Sequence, residues 1–239
     1  MVRAGRPPQD PARQLERAHR ILDAAAELVL RWGYGKTTID DVARAAGVAK
    51  GTIYLHWRTR DQLFAALLRR ERVRLLDEIR AAEPATPHEL FGHFVRATLD
   101  RPLLRAALLG DDEVLGKLVR MKRSSTTGLE LGGHFDDYIA RLVEHGAVRE
   151  EPGDHLTVIS SIVYGFVALP DLLPAEARLP GDRIAELVTD TVERVMSTGR
   201  PLPEEDRRAV AQATLDILDA MREVARRKLA AALGSEERG

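Results

Sequence analysis

The chain has 239 residues, no cysteine and a formal net charge of −1. This length is enough for one large or two small domains with hydrophobic cores, and the absence of cysteine excludes disulfide frameworks and thiolate metal sites. The amino-terminal residues lack the apolar stretch of a signal peptide, and the longest apolar run, residues 158–169, is too short and too interrupted to cross a bilayer. We therefore expect a cytoplasmic protein that does not enter a membrane.

Residues 1–13 are rich in proline and arginine and are expected to form a disordered basic arm. Its arginines have the chemistry to enter a minor groove of DNA, but an arm without any role is an equal alternative. An apolar stripe with helical spacing then runs from Leu15 to Trp32 and predicts a helix that ends at Gly33.

Residues 37–62 carry the signals of three helix starts. Thr38 is a candidate N-cap with Asp41 as its capping-box partner, and Gly47 is placed to end that helix in the left-handed conformation. A second helix is predicted near residues 50–56, and Thr59 is expected to cap a third. Two short helices joined by a tight turn that contains glycine form a helix-turn-helix, whose second helix fits the major groove of DNA.

Charge is distributed unevenly along the chain, in a way that agrees with this motif. Residues 1–75 contain 15 Lys and Arg against 8 Asp and Glu, whereas residues 76–239 contain 21 against 29. A basic segment is the electrostatic pattern of a nucleic-acid-binding surface. The amino-terminal third is therefore the expected place for contacts with DNA.

The run TTIDDVARAAGVAKGTIYLHWRTRDQLFAALL, preceded by RILDAAAELVLRWGYGK, resembles the TetR family of bacterial transcriptional regulators. The resemblance covers about residues 15–68. It departs from the family pattern at Ala49, where Ser is usual, so the second helix lacks a side-chain N-cap, at a cost of about 1 kcal/mol. The resemblance implies a ligand-responsive repressor that binds a palindromic double-stranded DNA operator as a homodimer and is released by a small apolar effector.

The outer face of the second short helix and its basic flanks supply the expected DNA contacts. We expect base edges or adjoining sugars to be contacted by Lys50, Thr52, Tyr54 and His56, and phosphates by Thr38, Tyr54, Arg58 and Arg60. Gly51 allows the backbone to approach the sugar-phosphate strand. Ile53 and Trp57 are expected to face inward. These residues define a DNA-binding domain over residues 14–60.

Residues 61–233 are predicted to form a helical domain for effector binding and dimerisation, followed by a disordered tail at 234–239. No segment alternates with period two, so the predicted fold is all-α, with further helices near 88–100, 102–109, 112–124, 128–145, 154–170, 181–197 and 204–233. By analogy with the family, residues 156–169 and 182–196 are the dimerisation helices, although an internal core is the alternative. The helix at 204–233 is additional to the usual family core, and either extends the dimer interface or covers the ligand domain.

Aromatic and methionine side chains of this second domain are candidates for an apolar effector pocket, although plain core is the simpler explanation for each: Phe91, Phe94, Met121, Phe135, Tyr138, Tyr164 and Phe166. The sequence contains no recognisable catalytic, cofactor or metal motif, so we predict neither enzymatic activity nor a cofactor nor a metal site. Two alternatives stay open: a nucleic-acid-binding regulator with no effector, and a helical enzyme with an incidental helix-turn-helix.

Overall fold

The computed structural model describes residues 10–115, 127–151 and 153–234. Helices make up most of this part of the chain, and within it no strand forms beyond an isolated bridge between Val148 and Ser197. The all-α prediction is confirmed. The helices are α1 (Pro11–Lys36), α2 (Ile39–Ala45), α3 (Lys50–His56), α4 (Arg60–Ala81), α5 (Pro87–Leu99), α6 (Pro102–Leu109), α7 (Asp112–Leu115), α8 (Thr127–Glu144), α9 (His155–Leu172), α10 (Gly181–Met196) and α11 (Glu204–Ala232), with a 3-10 turn at Ala175–Ala177.

Both ends of α1 follow from local sequence. The Asp10 carboxylate accepts a hydrogen bond from the backbone N–H of Ala12 at 3.0 Å, and this N-cap starts the helix at Pro11. The last three residues of the predicted arm therefore belong to α1, while its first nine lie outside the described residues. At the other end, Gly33 has a φ of 77°, which breaks the regular helix where the sequence predicts and leaves a short helical turn up to Lys36.

The described core consists of two hydrophobic clusters, and α4 contributes to both. Its first half supplies Phe64 and Leu67 to a cluster formed mainly by α1, α2 and α3, here called the head. Its second half supplies Leu76 and Ile79 to a cluster formed with α5 and α8 to α11, here called the body. Side chains of α6 and α7 complete the head, so its core extends beyond the predicted boundary at residue 60.

The carboxy-terminal helix α11 packs within its own chain, along α4 and α8. Val210, Ala213 and Leu218 are buried in the body. Asp77 of α4 accepts hydrogen bonds from Arg222 at 2.9 Å and from Arg226 at 2.8 Å. Of the two roles weighed for this helix, covering the second domain is the one that its intrachain packing supports.

Helices α5 and α10 approach each other closely at Gly92. A Cβ atom added there would lie 2.0 Å from the hydroxyl oxygen of Thr189. No side chain larger than hydrogen fits without a shift of α10 or a rotation of Thr189. Gly92 therefore sets the separation of these two helices.

Helix α9 carries most of the exposed apolar surface of the body. Only 22% of its 18-residue apolar window is buried, and by length and composition alone it could cross a membrane. A single helix of this kind is weak evidence for a membrane, since helices of water-soluble proteins pass the same test. Its large exposed apolar side chains are Leu156, Tyr164, Leu169 and Leu172.

Candidate nucleic-acid interface

The turn between α2 and α3 forms as the sequence predicts. The hydroxyl oxygen of Thr38 accepts the backbone N–H of Asp41 at 3.2 Å, and the Asp41 carboxylate accepts the backbone N–H of Thr38 at the same distance. The Thr38 hydroxyl also donates to the Asp41 carboxylate, and this bond, followed by the one from the backbone N–H of Thr38, holds the pKa of the Asp41 carboxyl below its usual value. Gly47 has a φ of 63° and ends the helix. Because its hydroxyl and N–H are both bonded in the capping box, Thr38 would have to share them with any phosphate.

Helix α3 presents a polar face to solvent and anchors itself with two apolar residues. Ile53 is fully buried and Trp57, which follows the helix, is 3% exposed, so the prediction that they face inward is confirmed. Ala49 occupies the N-cap position without a side-chain hydrogen bond, also as predicted. The remaining predicted DNA-contacting residues of α3 reach the surface: Lys50, Gly51 and Tyr54 are exposed, and Thr52 and His56 are partly exposed.

Lys50, the first residue of α3, is held by a carboxylate of the preceding helix. Its Nζ lies 2.8 Å from Oδ2 of Asp40, and this neighbour raises the pKa of the lysine. Both side chains are half exposed, so the pair is open to exchange with phosphate oxygens. Sequence reasoning missed Asp40, because a carboxylate ten residues before a lysine gives no signal until the turn between them is formed.

His56 is partly buried against Trp57, with a distance of 5.2 Å between the ring centroids. Burial, followed by the nearby positive charge of Arg17, lowers the pKa of His56 below 6.5. The imidazole is therefore neutral at pH 7. A neutral imidazole offers one donor and one acceptor, a combination suited to base edges as well as to phosphates.

Arg58 and Arg60 differ in their surroundings, although both were predicted to hold phosphates. Arg58 is exposed. The guanidinium of Arg60 donates from Nη1 to the carbonyl oxygen of Thr37 at 3.0 Å and lies 3.9 Å from the centroid of the Tyr34 ring. The Tyr34 hydroxyl in turn donates to the Asp61 carboxylate. Arg60 is thus bonded within the head, so a phosphate would have to share its guanidinium with Thr37 and Tyr34.

Similarity to known proteins was found at both the sequence and the fold level. The family model described as bacterial regulatory proteins, tetR family, matches residues 21–67, from α1 into α4. The repressor KstR of Mycolicibacterium smegmatis is 29% identical over 62% of this chain and 74% of its own length. The regulator AcrR of Shigella flexneri is 28% identical over 64% of this chain and 75% of its own length.

In fold, the chain is similar to a putative tetR family transcription regulator from Shewanella sp. PV-4, with a TM-score of 0.51 at 17% sequence identity. The superposition covers 76% of this chain and 98% of the other. The chain carries the helix-turn-helix segment of the TetR family over residues 21–67. Its match to some relatives is shorter: it spans 40% of the length of the Bacillus subtilis regulator YhgD, at 39% identity over 79 residues.

A cavity of about 640 Å³ opens between α8 and the amino-terminal end of α9. One part of its lining is apolar, with Phe135, Ile139, Val143 and Leu156. The other part carries exposed carboxylates, namely Asp136, Glu144, Glu150 and Asp154. Such a lining suits a molecule with an apolar body and no negative charge.

The predicted pocket residues lie in different surroundings within the described part of the chain. Phe135 lines the cavity between α8 and α9. Phe91, Phe94 and Phe166 are partly buried against the body core, and Tyr138 is buried, with its hydroxyl 3.0 Å from that of Thr214. Tyr164 is 49% exposed on α9, and Met121 lies outside the described residues. The acidic lining was missed because single carboxylates on a helix are usually no more than solvated surface.

Proposed function

We propose that this chain is a DNA-binding transcriptional regulator of the cytoplasm, a repressor that reads an operator through α3. The observation that carries the proposal is the exposed polar rim of Lys50, Tyr54 and His56 on a helix held from behind by Ile53 and Trp57. A seven-residue helix of this kind enters the major groove, and its polar side chains can hydrogen-bond base edges. The residues named for bases and phosphates, apart from Arg60, remain the proposed contacts.

A selection from random duplex DNA, followed by affinity measurements, tests this function. We expect an enriched palindrome, and we expect Tyr54→Ala and Thr52→Ala to lose about 5- to 150-fold in affinity for it, the equivalent of about 1–3 kcal/mol. Binding to random duplex should change much less. Arg208→Ala is the control, because it removes an exposed charge from the first turns of α11. Equal losses on selected and random duplex would show that neither side chain reads bases.

We further propose that the regulator works as a homodimer joined through α9 and α10. The support is the apolar face of α9, where Tyr164, Leu169 and Leu172 are exposed in a single chain, together with exposed Val195 of α10. Large apolar side chains grouped on an exposed helix are typical of an interface. Two-fold symmetry also suits the task, because two recognition helices about 34–36 Å apart read the two halves of a palindrome.

The effector is proposed to be a small, largely apolar molecule that binds in the body and favours the DNA-free state. The cavity between α8 and α9 is the candidate site, and its carboxylates disfavour anionic molecules. A ligand can release DNA only by its difference in affinity for the two states. A thermal-shift screen with matched neutral, cationic and anionic amphiphiles tests this part. If no amphiphile changes both the melting temperature and operator binding, a regulator without an effector is the better description.

A further inference from the structure

The last turn of α11 lies against the head, far along the chain from the residues that it contacts. The indole Nε1 of Trp57 donates to the carbonyl oxygen of Ala232 at 2.9 Å. Ala232 and Leu233 pack against the head core. Trp57 is also the C-cap of α3, where its backbone N–H donates to the carbonyl oxygen of Ile53 at 2.9 Å. A single side chain therefore connects the recognition helix to the end of α11.

Helix α3 depends on tertiary contacts for its position, among them the pair of Lys50 with Asp40. It has seven residues, no side-chain bond at its N-cap, and Ile53 as its one buried residue. A helix this short does not hold its shape without tertiary contacts. The hydrogen bond and apolar packing at its carboxy-terminal end are therefore among the contacts that fix its orientation.

The opposite half of α11 is bonded to α8, the helix that walls the cavity. Arg141 of α8 donates to Asp216 at 2.7 Å, and the Nδ1 atom of His145 lies 2.9 Å from a carboxylate oxygen of Asp206. The buried hydroxyls of Tyr138 and Thr214 form a third link. A continuous helix of 29 residues thus extends from these contacts to Trp57.

We propose that the carboxy-terminal turn of α11 positions the recognition helix through Trp57. Trp57 is a positioning residue, because it is buried and acts on DNA only through the orientation of α3. Helix α11 then joins α3 to the wall of the cavity by a second connection, which runs alongside α4 and is bonded to it at Asp77. The consequence for DNA binding rests on the proposed function, but the contact itself can be tested without DNA.

The test compares two shortened chains in a Trp32→Phe background, which leaves Trp57 as the only tryptophan, since the chain has two. A chain ending at Leu229 loses Ala232 and Leu233 but keeps the bonds from Arg222 and Arg226 to Asp77. A chain ending at Gly234 keeps the whole contact and is the control. In the chain that ends at Leu229, we expect red-shifted Trp57 emission and faster amide exchange over residues 50–57. In the chain that ends at Gly234, we expect neither change. Unchanged emission and exchange in that chain would overturn the proposal.

Trp57→Phe in the full chain is the milder variant, since it keeps an aromatic ring and removes the pyrrole part of the indole with its N–H group. We expect it to speed amide exchange in α3 and to weaken operator binding roughly two- to tenfold, the value of one hydrogen bond. In the chain ending at Leu229 the same substitution should add no further loss, because its partner is already gone. Equal losses in both backgrounds would overturn the proposal. If exchange responds but no operator exists, the positional role stands and the proposed function fails.

Discussion

The guanidinium of Arg60 bonds the carbonyl of Thr37 and stacks over Tyr34. A partly buried cation over an aromatic ring contributes about 0.5–2 kcal/mol, and a hydrogen bond to a carbonyl about 1 kcal/mol. We therefore expect Arg60→Ala to lower the free energy of unfolding by about 1–3 kcal/mol, as measured by urea denaturation. Its destabilising effect should persist at high salt, because these contacts are shielded from solvent.

Arg58→Ala is the matched control for Arg60→Ala. Its side chain is exposed, so we expect a change of less than about 0.5 kcal/mol in the free energy of unfolding. It should weaken binding to all DNA sequences alike and reduce the dependence of affinity on salt. A stable Arg60→Ala variant that shows the DNA phenotype expected of Arg58→Ala would instead assign Arg60 to phosphate.

Two histidines of the head make its stability depend on pH. Burial comes first in lowering the pKa of both His19 and His56 below 6.5, and Arg70 adds to the effect at His19. The unfolded chain therefore binds more protons than the folded chain as the pH falls below about 6.5, and the free energy of unfolding decreases there. Urea denaturation at pH 7.5 and 5.5 measures the slope of the free energy of unfolding against pH. The double variant His19→Gln, His56→Gln should reduce it, and an unchanged slope would contradict the assignment.

At the scale of helices, the close contact between α5 and α10 at Gly92 leads to a prediction about stability. Gly92→Ala would force α5 away from α10 or rotate Thr189, which would break the hydrogen bond from its hydroxyl to the carbonyl of Ala185 at 3.0 Å. Overpacking of this kind costs about 1–3 kcal/mol. Thermal denaturation should show that loss. Thr189→Ala removes the colliding atom, so the double variant should recover most of the stability; a double variant as unstable as Gly92→Ala would place the strain elsewhere.

Helix boundaries and the helix-turn-helix were predictable from sequence because their causes are local. The capping box of Thr38 and Asp41 and the left-handed Gly47 each act over a few residues. The bonding of Arg60 was not predictable, since its partner Tyr34 lies 26 positions earlier and becomes a neighbour only when α1 and α4 pack. The contact of Trp57 with Ala232 joins residues 175 positions apart. No helical periodicity encodes such a contact.

The pocket residues show a different limit of sequence reasoning. An aromatic residue at helical spacing is consistent with core, the simpler explanation, and also with cavity lining, so the sequence did not distinguish Phe135 from Tyr138. In the structure, Phe135 lines the cavity, while burial raises the pKa of Tyr138 and its hydroxyl bonds Thr214. Phe135 and Tyr138 are three residues apart and lie only about 60° apart around the helix, so packing decides which of them faces the cavity.

At the scale of the whole molecule, the exposed face of α9 predicts a dimer. We expect sedimentation to give twice the chain mass, and Tyr164→Asp to raise the dissociation constant by more than about tenfold, because a buried aromatic side chain is replaced by an unpaired charge. Leu30→Asp places the same charge at a 49% exposed leucine of α1 and should leave the dimer intact. A Tyr164→Asp chain that dimerises as tightly as the unchanged protein would rule out this face.

The excess of Lys and Arg in the first 75 residues has a consequence for how the molecule meets its target. Most of these residues belong to the head, whereas the carboxylate-rich remainder builds the body, so the protein carries an electric dipole along the line joining the two cores. Near a polyanion such a dipole experiences a torque that turns α3 forward before any contact is made. A larger fraction of diffusive encounters with DNA then leads to binding, so the association rate constant rises. Dissolved ions screen the dipole and lower that rate constant.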